Sequence, residues 1–449
     1  MKIEIPIPAG AANIIQKLAA HGFDAYVVGG CVRDCLMGRV AEDWDITTNA
    51  KPPEIKSIFA KHKLIDIGER HGTISISAGG QYYEVTTYRI DGAYGDGRRP
   101  DTVSFTASLR EDLCRRDFTI NAMAYNHTAG LVDYFGGLSD IKSRTIRCVG
   151  NATARFAEDY LRIMRAYRFA ATLGFDLADD ARAAAINGRA NLHSIAVERV
   201  RTEFMKMLLS NDFDRIELFF DDCGHALFPE IAALRGFAQN NPFHCHDAYG
   251  HTMAVLRATP ADAAQRLAAL YHDTGKLHTR TTDNSGIHHY YKHEAASVDI
   301  AAASLAHWRF DNHTTDRVLT IIKHHGGDYN PKRTNIKRLL NKLGEDNARA
   351  VLNFQLADTA GKSDKAKAEK LPPIIAAKAM LEEIIAVGEP VKISDLVISG
   401  RDVMSILNIN PSPAIGEHLA YLIEQVIEDP AVNNYDDLVK LLKLRHNPE

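Results

Sequence analysis

The sequence predicts an α+β head, a mixed sheet with helices, followed by an all-α remainder. Three observations predict it. Short apolar runs bounded by glycine or proline pairs recur through the first 150 residues. From about residue 155 onward, apolar positions recur at 3.6-residue spacing. Strand-like runs all but vanish after residue 147. The chain has 449 residues, too long for one core, so about two to four domains are expected. The pattern divides it at 1–150, 151–235, 240–360 and 371–449.

In chain order, residues 24–28 are a short apolar strand turned by Gly29-Gly30. Residues 31–37 read as a helix stopped by Gly38. Residues 44–46 form a strand, and Pro52-Pro53 opens a helix over 54–62. Strands follow at 64–67, 73–77 and 82–88, the last two joined through Gly79-Gly80 as a hairpin. Residues 90–101 have no period and read as a mobile loop. Helices are expected over 154–173, 179–190 and 196–209, then in blocks over 246–358 and from 372 to the end. The lysine-rich stretch 359–370 reads as a linker.

Composition sets limits. Apolar residues make up 45% and charged residues 24% of the chain, ordinary for a globular protein. No apolar run reaches the roughly 20 residues that span a bilayer, and MKIEIPIPAG lacks a signal-peptide stretch. The expectation is a cytoplasmic protein with no membrane and no obligatory protein partner. Six scattered cysteines without a CxxC pair fit reduced thiols. A net charge of −4 excludes a generic polyanion binder, although 110–116 and 332–338 are locally basic.

The stretch VGGCVRDCLMGRVAEDWDITT concentrates the chemistry. Asp43 and Asp45 stand at i and i+2, so on a strand their side chains share a face. Two such carboxylates repel unless a cation sits between them, and Mg²⁺ takes carboxylates together with substrate phosphates. Gly29 and Gly30 let backbone N–H groups approach a triphosphate. Arg33 can donate to phosphate oxygens. Glu84 in YYEVTTYR is the candidate third carboxylate. Alone, a DxD is a solvated acidic loop as readily as a metal site. Its flanks argue for metal-assisted phosphoryl or nucleotidyl transfer.

This segment resembles the signature of class II tRNA nucleotidyltransferases and bacterial poly(A) polymerases, within the polymerase-β nucleotidyltransferase superfamily. EVTTYRIDGAYGDGRRPDTVSF, RRDFTINAMAYN, LVDYFGGLSDIKSRTIR and EDYLRIMRAYRFAATLGF are similar to later family segments and stand in order. The likeness covers roughly the first 210 residues. It implies that Arg116 holds phosphate and that Asp117 and Asn121 address the ribose. It also implies that Asp159 and Arg162, neighbours on a helix, read the base edge, with Arg165 and Arg168 serving the nucleotide. Steps of three place Arg168 about half a turn from Asp159, so Arg168 could instead brace carboxylates behind it. Without companions, an Asp-x-x-Arg pair is a surface ion pair worth under about 1 kcal/mol.

Twelve of the twenty histidines fall between His244 and His325. His251, His272, Asp273 and Asp358 resemble, in order, the HD metal-dependent phosphohydrolase superfamily. His293 and His324 match the extra histidines of many members. Such donors suit Mn, Fe, Co, Ni or Zn and converge from several helices. The tail segment at 398–426 resembles one that grips the tRNA elbow.

Together the resemblances imply a polymerase-β-like head, a helical neck, an HD body and a tail. The expected activity is template-independent addition of C, C and A to tRNA from CTP and ATP, with Mg²⁺ in the head and pyrophosphate released. CC-only, A-only or poly(A) addition remain alternatives within the class. Outside it stand an HD phosphohydrolase with a nucleotide-binding head, and a non-catalytic RNA-binding scaffold.

Overall fold

The computed structural model describes residues 3–66, 68–92, 103–328 and 330–446. The chain divides into two compact units, Met1–Pro229 and Glu230–Glu449.

The first unit is built on a seven-stranded mixed sheet. Its strand order is Leu64–Ile65, Thr73–Ala78, Gln81–Thr87, Asp45–Thr48, Ala25–Val28, Met123–Asn126, Gly130–Asp133. Alternation decides the two faces. Ala25, Val27, Ile46 and Val85 point into a core closed by Ile14 and Leu18 of helix Ala9–Ala20 and by Ile55 and Phe59. Val28 and Ala124 point the other way, into a second cluster with Tyr88, Leu109, Leu113 and Val149. Ile46 pairs with Val85 in parallel register, and Val28 lies opposite Asp45. Asp45 and Glu84 are therefore neighbours on the second face. The strand begins at Asp45, and Asp43 lies just before it rather than on it.

Gly29 has φ +82 and its N–H donates to Met123 O at 3.2 Å, which turns the first strand into helix Gly30–Leu36. The hairpin through Gly79 and Gly80 forms as predicted. Pro52 begins the helix Pro52–Ile58 instead of preceding it, as suits a residue without an N–H. The mobile loop expected over 90–101 falls largely in residues 93–102, which lie outside the described residues.

The single helix predicted over 154–173 is two helices, Ala152–Glu158 and Leu161–Leu173. Asp159 separates them in an extended conformation, φ −150 and ψ 104, and its Oδ1 accepts from Leu161 N at 3.0 Å. A short carboxylate that binds the backbone two residues on competes with the helical ladder. Asp159 and Arg162 therefore do not share one helix, and the half-turn estimate for Arg168 does not apply. Helices Asp179–Gly188, Val197–Leu208 and Phe213–Phe219 complete this part. They pack on Phe204, Phe219, Phe220 and Phe228.

The second unit is helical apart from a small ribbon, Thr281–Thr282 with His288–His289. The expected linker at 359–370 is a helical hairpin. Helix Arg333–Ala360 ends, Ser363 caps the next helix by accepting from Ala366 N, and Asp364–Val387 follows. Helices Gly400–Leu407, Pro413–Glu428 and Tyr435–His446 enclose a core of Val403, Leu422, Val426 and Leu438. Among the described residues, no helix is long and apolar enough to cross a membrane.

Candidate functional site

The first site lies on the second face of the sheet. Asp45 is pushed above the usual carboxylate range. Burial of its carboxyl is the main cause, Arg116 opposes it, and Glu84 and Asp43 add to it. The three predicted acids thus form one electrostatic cluster. That repulsion is what a bound divalent cation relieves, and an all-carboxylate donor set suits Mg²⁺.

Arg116 faces these acids. It is held by buried Asp112, Nη2 to Oδ2 at 3.7 Å, and Asp112 also accepts from Thr47 Oγ1 at 3.0 Å. Burial lowers the pKa of Arg116, opposed by Asp112, and its buried Nε has no hydrogen-bond partner among the described residues. A Cβ on Gly29 would sit 3.0 Å from Arg116 Nη1. Glycine at 29 therefore serves both the positive φ and the approach of this guanidinium.

Arg33 is engaged by the protein itself. Its Nη1 donates to Asn121 Oδ1 at 2.6 Å, and its Nε and Nη2 bind Asp34 at 2.9 Å. Asn121 Nδ2 donates to Asp117 Oδ1 at 3.2 Å, and Arg165 grips Asp117 Oδ2 through Nε at 2.7 Å and Nη2 at 2.6 Å. Burial alone would raise the Asp117 carboxyl. Arg165 and the Asn121 hydrogen bond outweigh it and bring it down to about 2. Arg33, Asn121, Asp117 and Arg165 thus form one continuous chain from the glycine turn to helix Leu161–Leu173.

Arg162 is buried and donates to Glu158, to Arg155 O at 2.9 Å and to Arg115 O at 3.3 Å. Arg168 lies 3.5 Å over the Phe169 ring and donates to Glu203 Oε2 at 2.8 Å. It braces a carboxylate behind the helix, the alternative reading of its position.

Sequence reasoning missed two residues here. Arg199 grips Asp159 through Nη2 at 2.7 Å and Nη1 at 3.4 Å, and Glu203 takes Arg168 and, at 3.6 Å, Arg165. Both stand on helix Val197–Leu208. The available signal was Glu203 itself, an acid on the apolar stripe of Val200, Phe204 and Met207.

The second site gathers the histidines. The Nδ1 atoms of His251, His272, His293 and His325 each meet a backbone carbonyl, of Gly361, Ala269, Tyr290 and Ile322, at 3.1, 2.9, 2.8 and 2.6 Å. A carbonyl only accepts, so each Nδ1 is the donor and each Nε2 turns a lone pair inward. His251 and His272 Nε2 lie 3.4 Å apart, and those of His293 and His325 3.2 Å apart. Two facing lone pairs at such distances require a proton or a metal ion near them. Asp273 lies 3.5 Å from the Nε2 atoms of both His251 and His293, and Asp358 Oδ1 lies 3.0 Å from His251 Nε2. Two trios, His251–His272–Asp273 and Asp273–His293–His325, have ligand atoms within 4.8 Å of one another. Burial drives His325 down to about 3, which keeps its imidazole neutral. Lys276 and Lys362 pair with Asp273 and Asp358 at 2.7 and 2.5 Å. The second of the two adjacent histidines, His325, joins the cluster. His324, the predicted member, is half-buried on the neighbouring face of its helix.

By fold and by the first site, the chain pairs a nucleotidyltransferase-like head with a helical body. Residues 25–147 match the poly A polymerase head domain. Residues 174–234 match the "Probable RNA and SrmB- binding site of polymerase A", and 293–442 match tRNA nucleotidyltransferase domain 2. A CCA-adding enzyme of Lactobacillus delbrueckii subsp. bulgaricus is 50% identical over 226 residues, 50% of this chain and 56% of that protein. The matched stretch thus spans about half the length of such curated relatives. The crystal structure of a Bacillus stearothermophilus CCA-adding enzyme in complex with CTP aligns over 97% of both chains, with TM-score 0.73 and 29% identity. The Thermotoga maritima CCA-adding enzyme complexed with tRNA shares the fold, with TM-score 0.61, 17% identity and coverage of 97% and 94%. Through these likenesses the head is similar to nucleotidyltransferases, a class of enzyme that implies a divalent cation.

Proposed function

We propose that the protein adds C, C and A to the 3′ end of tRNA from CTP and ATP without a nucleic-acid template. The carrying observation is the acid cluster of Asp43, Asp45 and Glu84 facing Arg116 across the Gly29 turn. Mg²⁺ held by Asp43 and Asp45 would lower the pKa of the RNA 3′-hydroxyl and neutralise charge at the α-phosphate. Arg116 offers its bare Nε to the triphosphate. Gly29 and Gly30 leave room for phosphate oxygens against the backbone.

Base choice falls to Asp159 and Arg162. A carboxylate accepts from the exocyclic amino group that cytosine and adenine both carry and uracil lacks. A guanidinium donates to the ring nitrogen acceptor of either base and to the cytosine carbonyl. Asp117 and Asn121, fixed by Arg165 and Arg33, lie on the ribose side. The enzyme would recognise tRNA through shape and backbone. Incubation with tRNA ending before CCA, with CTP and ATP separately and together and the product ends sequenced, tests the reading. CCA ends support it, and CC-only, A-only or poly(A) ends redirect it within the class.

A second reading concerns the histidine cluster, because its four inward Nε2 atoms need a cation. It would hold one or two transition-metal ions, with Asp273 shared, in an HD-type body that can hydrolyse a phosphate ester. The four-part division into head, neck, HD body and tail follows from the same assignments. Cytoplasmic tRNA processing is the setting that fits both.

A further inference from the structure

Helices Ala263–Tyr271, Asn312–His324 and Arg333–Ala360 contribute to a second cavity of about 430 Å³, which shares no lining residue with the histidine pocket. Three of its lining residues carry a buried polar atom with no hydrogen-bond partner among the described residues: Gln265 Oε1, Asn347 Oδ1 and Arg317 Nε. Gln265 is only 7% exposed. The Asn347 amide nitrogen donates to Leu343 O at 3.2 Å, so a flipped amide would oppose two oxygens, and Oδ1 is the bare atom. Buried acceptors left unmade are costly and rare.

Charge narrows the ligand. Arg317 is tied to Asp262 at 3.5 Å, and Arg349 is held by Glu382 at 2.9 to 3.2 Å. With both guanidiniums matched from outside, the exposed carboxylates of Asp316 and Asp346 leave the cavity acidic. A phosphate there would face Asp316 and Asp346, with the charges of Arg317 and Arg349 already paired to Asp262 and Glu382. A divalent ion needs an oxygen shell, which the Arg317 N–H donor interrupts. An ammonium group needs only a few acceptors and a negative field.

We propose that this cavity binds an organic polycation of the polyamine class. Its ammonium groups donate to Gln265 Oε1 and Asn347 Oδ1 and lie against Asp316 and Asp346. The site is independent of the nucleotidyl-transfer reading. Calorimetric titration of the full-length protein with spermidine at low salt tests it. The expected result is saturable binding at one site per chain, weakened about tenfold by Asp316→Asn and by Gln265→Leu. Asp316 is exposed, so its variant keeps the test valid even where Gln265→Leu fails to fold. No saturable heat at millimolar spermidine overturns the proposal, as does binding that Asp316→Asn leaves unchanged.

Discussion

Arg199 grips Asp159 with two nitrogens, Nη2 at 2.7 Å and Nη1 at 3.4 Å, where the chain breaks between two helices. Asp159 has no helical backbone to fix its side chain. Its direction is set by Arg199 on one side and by the Leu161 N–H on the other. If Asp159 reads the base, Arg199 positions it.

Arg199→Ala is therefore expected to lower discrimination between CTP and UTP by about tenfold, with less effect on kcat for CTP. Arg199→Lys keeps the charge but loses the fork, and should recover only part of the selectivity. Competing incorporation of CTP and UTP into tRNA ending before CCA is the readout. Equal selectivity in all three proteins would assign Arg199 to structure alone.

Gly29→Ala should be damaging twice over. A Cβ at φ +82 is strained by about 1–3 kcal/mol, and it would meet Arg116 Nη1 at 3.0 Å. The expected outcome is a lower unfolding midpoint together with a raised KM for nucleotide. Gly38, also at positive φ but with nothing within 4 Å of its Cβ, is the control: Gly38→Ala should lose stability only.

How much was legible beforehand follows from what was local. The glycine turn and the spaced acids each act within a few positions, so local pattern singled them out, whereas the Arg116–Asn121 segment stood out only through its resemblance to a family motif. The break at Asp159 was hidden because Glu-Asp-Tyr-Leu contains neither proline nor glycine, and only a side-chain-to-backbone bond stops the helix. His325 rather than His324 could have been chosen, since Val318, Ile321, Ile322 and His325 share one buried face at helical spacing. The 359–370 stretch was misjudged on its lysines, although Ser363-Asp364 is a helix-start signal. Arg199 and Asp159 are 40 residues apart, and no local pattern joins them.

Acid should weaken the first unit through Asp117. Its folded pKa of about 2 lies below the ordinary carboxylate value. A depressed carboxyl contributes stability that is complete above the unfolded pKa, about 4, and is lost as pH falls through about 2. The shift corresponds to about 2 kcal/mol at neutral pH. Asp117→Asn should lie below wild type in urea midpoint near pH 6, and the gap should close as pH drops from 4 towards 2. A gap that stays constant with pH would show that the carboxylate charge is not what Arg165 and Asn121 stabilise.

Asp273 is common to both trios that could hold a metal ion. Asp273→Ala should abolish binding of added Mn²⁺ or Ni²⁺, measured as metal per chain after dialysis. His324→Ala should leave the stoichiometry intact. Nucleotidyl transfer supplied with Mg²⁺ should persist in both variants. Undiminished metal in Asp273→Ala would place the ion elsewhere.

The most direct measurement is extension of tRNA ending before CCA by wild type and by Asp45→Ala, with Mg²⁺, CTP and ATP. Wild type should complete the CCA end, and Asp45→Ala should add no nucleotide while keeping its metal in the second unit. Failure of wild type to add a single cytidine, or equal extension by Asp45→Ala, would contradict the account.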